Sequence, residues 1–159
     1  MKIFFLTILV VIADQISKIW IINNFNLFES REIFGSFLKF SHVRNPGIAF
    51  GISIGEWGVV VTILSLFATI FIGYVLWKER SEHPLVVNGL SLILGGAIGN
   101  LIDRSSIFFV SHYEGVVDFI DVGIGSIRWY TFNIADAAVT VGMILYLMYS
   151  LIASKSNVN

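Results

Sequence analysis

Long unbroken apolar runs, rather than alternating ones, set the pattern of this chain. A helix needs roughly 20 apolar residues to cross a bilayer core about 30 Å thick. Residues 3–22, 57–77, 85–102 and 132–153 each meet that requirement. Between them lie two long connections, 23–56 and 103–131, and one tight link, 78–84. No internal repeat and no linker between soluble domains interrupts this order, so residues 1–159 are expected to form a single polytopic membrane domain. Met1-Lys2 and the apolar run to Ala13 have the look of a signal peptide. No small-x-small cleavage site follows; Asp14, Lys18 and more apolar residues come instead, and an uncleaved first helix is expected.

Composition agrees. Hydrophobic residues make up 56% of the chain and charged ones 13%, half the share usual in a soluble domain, and mean hydropathy is +0.83. The absence of cysteine excludes a disulfide scaffold, a thiol nucleophile and an iron–sulfur cluster. A net charge of −1 provides no basic surface for nucleic acid. With four spans, the two long connections share one membrane face, and both termini share the other with link 78–84. Lys2, Lys78, Arg80 and Lys155 crowd the short terminal-side segments, whereas Arg31, Lys39, Arg44, Arg104 and Arg128 are spread over the long loops. By this density the termini are expected in the cytoplasm and the loops outside.

Only Asp14, Lys18 and Asp136 are charged inside the spans, where a charge costs a few kcal/mol and marks a partner or a purpose. Asp14 and Lys18 stand i, i+4 on one helix face, about 12 Å and about 6 Å from the outer end at 1.5 Å per residue. They are either a self-neutralising pair or part of a site that holds or shapes something below the surface. Asp136 opens the fourth span in Asn133-Ile134-Ala135-Asp136, the spacing of a capping box. Spacing alone leaves open whether it caps or reacts. The third span ends in Gly95-Gly96-Ala97-Ile98-Gly99-Asn100-Leu101-Ile102-Asp103-Arg104, whose small residues allow close helix approach. Asp103 is expected to be held ionised by neighbouring Arg104.

In the second loop, Asp118 lies within apolar Val116-Val117-Asp118-Phe119-Ile120. An apolar setting raises a carboxyl pKa, which makes Asp118 the candidate for holding a proton near neutrality. Residues 37–44 are rich in strand formers and are followed by Asn45-Pro46-Gly47, placed for a type II turn; a small sheet on the outer surface is expected. His42, His83 and His112 have no metal-site spacing, and Ser17, Ser41, Ser105 and Ser111 stand in no nucleophile motif. Two carboxylates sharing one proton remain as a route to hydrolysis without metal or cofactor. Spacing does not decide between Asp103 and Asp118 as the partner of Asp136; the cation beside Asp103 favours Asp118.

Asp14-Gln15-x-x-Lys18, Asn45-x-Gly47-x-Ala49-Phe50, Gly95-Gly96-Ala97-x-Gly99-Asn100-x-x-Asp103-Arg104, Val116-Val117-Asp118-Phe119 and Phe132-Asn133-x-Ala135-Asp136 follow one another in order. Together these five blocks resemble bacterial lipoprotein signal peptidase, also called signal peptidase II. The resemblance implies an all-α integral membrane protein of four transmembrane helices, with a small extracytoplasmic β-sheet and a loop bearing a short helix over the site. It implies a monomeric aspartic endopeptidase of the bacterial inner membrane, without cofactor or metal. Its substrates would be prolipoproteins, cut on the amino side of a diacylglyceryl-modified cysteine, with membrane lipid as its surroundings. Asp118 and Asp136 match the catalytic dyad. Asp14, Lys18, Asn45, Gly47, Asn100, Asp103, Arg104, Asn133 and Ala135 match positions that bind substrate or support the site. Two departures stand out: Ile48 replaces a smaller residue before Ala49, and the stretch 105–115 is longer than usual and carries Phe108, Phe109 and Tyr113. The rival readings are a small proton- or ion-coupled transporter using Asp14, Lys18 and Asp136 as a relay, and a purely structural subunit.

Overall fold

The computed structural model describes residues 2–46, 58–110 and 113–156. Gly47 and Ile48, with their turn, lie outside the described residues. Four long helices form the bundle: α1 (Phe5–Asn24), α2 (Gly58–Lys78), α3 (Pro84–Ser105) and α4 (Ile134–Ser156). Each contains an apolar window long enough to cross a membrane. The local chemistry at their ends fits. Pro84 begins α3, where its missing N–H costs nothing, and the His83 side chain accepts from Leu85 N. At its other end α3 runs into a 3-10 turn, Ser106–Phe108, the short helical piece in the second long connection.

α3 is the hub and packs against α1, α2 and α4. Glycine makes this possible. A methyl group at Gly95 would meet Val10 Cβ of α1 at 2.7 Å, and one at Gly99 would meet the Asp14 Oδ2 of α1 at 2.6 Å. On α4, Gly142 faces Gly89 of α3 so closely that a Cβ at Gly89 would lie 2.8 Å from the Gly142 carbonyl. Such backbone approach is how helices associate where lipid supplies no hydrophobic drive. Large apolar side chains such as Phe67, Phe71 and Leu147 point outward, as a lipid-facing surface requires.

The two long connections meet at one end of the bundle in a four-stranded antiparallel sheet, ordered β1 (Ser30–Phe34), β2 (Leu38–Asn45), β3 (Val116–Ile124), β4 (Ile127–Arg128). Phe40 pairs with Ile120 but Val43 with Asp118, so β2 carries one extra residue there, a bulge of the kind that re-aims side chains. Beyond it the register brings Val43 opposite Asp118 and Asn45 opposite Val116. By the two-residue period of a strand, Asn45 then shares a face with Asp118. Ile21 and Phe25 at the end of α1 pack with Val117 and Phe119 of β3, with Ile134 of α4 against them. That cluster fixes the sheet to the bundle where α4 begins.

Candidate active site

The three charged residues inside the apolar runs, Asp14, Lys18 and Asp136, meet at this junction. Lys18 is 2% exposed and Asp14 0%. The Lys18 ammonium pairs with Asp14 Oδ2 at 2.8 Å and Asp103 Oδ2 at 2.9 Å, and donates to Asn100 Oδ1 at 3.1 Å. Its three N–H donors have three acceptors, leaving none for a substrate: Lys18 shapes the site from below. The cation of Asp103 is therefore Lys18 and not Arg104, a correction to the expectation drawn from adjacency. One residue further along α3, Arg104 points about 100° around the helix from Asp103; it is half-buried and pairs with no carboxylate among the described residues. Gln15 was passed over in the sequence, although it stands beside Asp14 in the first block. Its amide donates to Asp14, to the Gly99 carbonyl and to Asp103 Oδ1.

Asn100 carries the network upward. Its Oδ1 accepts from Lys18, and its Nδ2 donates to Asp136 Oδ1 at 2.8 Å. Asn133 completes it. Its Nδ2 donates to Asp118 Oδ1 at 2.7 Å and lies within reach of Asn100 Oδ1 and the Val117 carbonyl. The capping box is real as well: Asp136 N donates to Asn133 Oδ1 at 2.9 Å, and Asn133 N to Asp136 Oδ2 at 3.2 Å. Capping and site membership coexist in Asp136, because one oxygen serves the cap and the other faces Asn100. Ala135 acts through its backbone, donating its N–H to Asp14 Oδ1 at 2.9 Å. That bond ties α1 to the first turn of α4. Asp103 Oδ2 likewise accepts the Val117 N–H, anchoring β3 next to Asp118.

Asp118 is 3% exposed and held from two sides, by Asn133 on one oxygen and by Asn45 Nδ2 at 3.0 Å on the other. Burial pushes its pKa up to about 7, with the Asp136 charge adding to the rise; bonds from Asn45 and Asn133 and the Lys18 charge oppose it. Asp14, Asp103, Asp118 and Asp136 thus face one ammonium, and a retained proton on Asp118 relieves the excess negative charge. Such a site can donate a proton from Asp118 and accept one elsewhere. His42 sets its Nδ1 against the Phe25 carbonyl, and His83 caps α3. Among the described residues no group of three His, Cys, Asp or Glu is arranged to hold a metal ion.

Helices, sheet and buried carboxylates together define the class: a four-helix membrane protein with a carboxylate cluster beneath a small sheet. Two solved structures of bacterial membrane enzymes, obtained by the in meso method at 2.3 Å and 1.9 Å resolution, superpose on the chain with TM-scores of 0.77 and 0.74. They are 31% and 30% identical to it and match 98% and 94% of it, over 90% and 92% of their own lengths. The family model described as Signal peptidase (SPase) II matches residues 6–152. Curated relatives include the lipoprotein signal peptidases of Syntrophus aciditrophicus, 37% identical over 92% of this chain and 89% of that protein, and of Lactobacillus johnsonii, 34% identical over 95% and 92%. The chain belongs to the signal peptidase II family.

Proposed function

We propose that this protein is an aspartic endopeptidase that removes the signal peptide from prolipoproteins in the bacterial cytoplasmic membrane. It cuts on the amino side of a diacylglyceryl-modified cysteine. One polytopic domain does the work, with both termini cytoplasmic and the sheet end outside. Family membership supports the substrate class. The observation that carries the chemistry is the Asn133 bridge, whose side chain donates to Asp118 while its backbone and carbonyl oxygen engage Asp136.

In this reading Asp118 enters the reaction protonated, consistent with a pKa near 7. Both Asp136 oxygens already accept N–H bonds, which suits it to the role of base. Water attacks the scissile carbonyl carbon and gives a proton to Asp136, while Asp118 protonates the carbonyl oxygen. The resulting diol collapses as Asp136 passes its proton to the departing cysteine nitrogen, and Asp118 recovers a proton from a diol hydroxyl. Asn45 and Asn133 hold Asp118 in place, and Lys18, Asp14, Asp103, Asn100 and Ala135 form the rigid floor. Arg104, which pairs with no carboxylate among the described residues, is assigned to the incoming substrate. The protein works as a monomer in this scheme, and no cofactor enters it.

The transporter reading finds less support, since a relay needs polar groups through the bilayer depth. Below Asp14 the α1–α3 contact holds only the Thr7 and Ser91 hydroxyls, each bonded to a backbone carbonyl, and no charged side chain among the described residues, and α2 carries no charge short of its terminal Lys78. The test is reconstitution in lipid with a diacylglyceryl-modified prolipoprotein and, in parallel, its unmodified form. Mass spectrometry is expected to find cleavage directly before the cysteine in the first alone. No cleavage by a folded protein, with proton flux in the same vesicles, would overturn the proposal.

A further inference from the structure

The sheet ends in two adjacent hairpin tips of the same unusual composition. Phe34-Gly35-Ser36-Phe37 turns β1 into β2, and Ile124-Gly125-Ser126-Ile127 turns β3 into β4. Both glycines take positive φ, +50° and +57°, and both face open space. The tips lie side by side: Gly123 N donates to the Phe37 carbonyl and Arg128 to the Ser36 carbonyl. Each tip has one serine beside its glycine but is otherwise closed by large apolar residues, which leaves Phe34 73%, Ile124 77% and Ile127 82% exposed. Between them runs an apolar groove of about 460 Å³, lined by Phe37, Val122, Gly123, Ile124, Ile127 and Trp129. Among the described residues the charges around the groove are paired, Arg128 with Asp121 and Lys39 with Glu32, which lowers the cost of an apolar medium there.

We infer that the two hairpin tips are immersed in the bilayer interface beside the helices and anchor the sheet there. The lipid-facing surface leads directly to them. Exposed Trp129 and Tyr130 join β4 to α4, whose membrane-crossing window opens at Ile134. Trp20 of α1, itself half-exposed, packs edge-on against Phe40 of β2. Trp and Tyr gather at this depth because one edge is apolar and the other wet. Since β3 carries Asp118, an anchored tip restrains the strand that positions it. The inference depends on the membrane-spanning helices and not on the proposed peptidase chemistry, so its test reads location and not turnover.

The chain has no native cysteine, so Ser36→Cys and Ser126→Cys each give one labelling site, and Ser81→Cys in the α2–α3 link gives a control. Each purified full-length variant is labelled with an environment-sensitive dye and reconstituted in phosphatidylethanolamine–phosphatidylglycerol vesicles, with iodide equilibrated on both sides. Tip labels are expected to be blue-shifted, shielded from iodide and quenched by brominated lipids, most strongly at the depth of about 5–10 Å typical of interfacial segments. Ser81 labels should be open to iodide. Tip labels quenched by iodide as fully as the control would overturn the inference. Shielding without lipid quenching, rising with protein density, would overturn it too and assign the tips to a second copy of the chain.

Discussion

Gly99→Ala is a one-methyl test of whether the floor of the site is as tight as the geometry makes it. The new Cβ would lie 2.6 Å from Asp14 Oδ2 and 3.2 Å from Ala135 Cβ, so Asp14 must retreat by several tenths of an ångström. That oxygen accepts from Lys18 at 2.8 Å and from Gln15 at 3.1 Å, while the other Asp14 oxygen holds the Ala135 N–H. Weakening one charged hydrogen bond costs about 1.5–3 kcal/mol, and overpacking a filled site costs about 1–3 kcal/mol. Partial relaxation shares these costs, leaving a loss on the order of 3 kcal/mol. At about 2–4 °C per kcal/mol for a chain of this size, the melting temperature should fall by roughly 6–12 °C. Turnover should fall as well, because Asp14 sets the first turn of α4 and hence Asp136. Gly73→Ala is the control, since its Cβ would meet only Leu94 Cδ1, at an ordinary 3.8 Å. Thermal unfolding of both variants in one detergent, with cleavage assayed in lipid, checks the claim. A Gly99→Ala protein as stable and active as Gly73→Ala would refute the packing argument.

Other expectations concern charge and capping. The folded Asp118 keeps its proton to about pH 7, whereas an unfolded Asp carboxyl loses it near 3.9. Its folded pKa is raised, so stability is full below about pH 4 and falls as pH rises toward 7, by on the order of 4 kcal/mol; pH-dependent unfolding of Asp118→Asn should lack this slope. The same proton gives the activity profile an alkaline limb near pH 7. Asn45→Ala should move that limb upward, because the bond it removes favours ionised Asp118; a downward shift would contradict the assignment. Asn133→Ser keeps a good helix cap but loses the amide that reaches Asp118, Asn100 and the Val117 carbonyl, so turnover should collapse and stability should fall by about 1–3 kcal/mol. Lys18→Met strands Asp14 and Asp103 without a cation and should destabilise by about 3–5 kcal/mol. Lys18→Arg should not restore activity, since a planar fork does not fit three acceptors gathered around one nitrogen.

Much of this was legible in the chain because lipid imposes simple rules. Apolar runs of fixed length define the helices, and ionisable residues inside them are too costly to be accidental. Asp118 could be singled out because Val116, Val117, Phe119 and Ile120 surround it with apolar side chains, and burial follows. The second partner of Lys18 could not. Its ion pair with Asp103 spans 85 residues and depends on how closely glycine lets α1 approach α3, whereas sequence reveals only neighbours such as Arg104. Asn100 and Asn133 matched a pattern, yet their place as bridges between carboxylates depends on the crossing of α3 and α4. The bulge in β2 was equally hidden: residues 37–44 announce a strand, but the extra residue between Phe40 and Val43 appears only in the pairing with β3. Asp136 was ambiguous between cap and reactant because the two roles use different oxygens of one carboxylate.

In the proposed mechanism Asp118 and Asp136 share the chemistry. The most direct measurement compares wild type, Asp118→Asn and Asp136→Asn, each shown to be folded, in lipid with a diacylglyceryl-modified prolipoprotein, with and without a chelator, by mass spectrometry of the products. Cleavage by wild type is expected to be indifferent to chelator and absent from both variants. Normal turnover by either folded variant, or loss of wild-type activity on chelation, would contradict it.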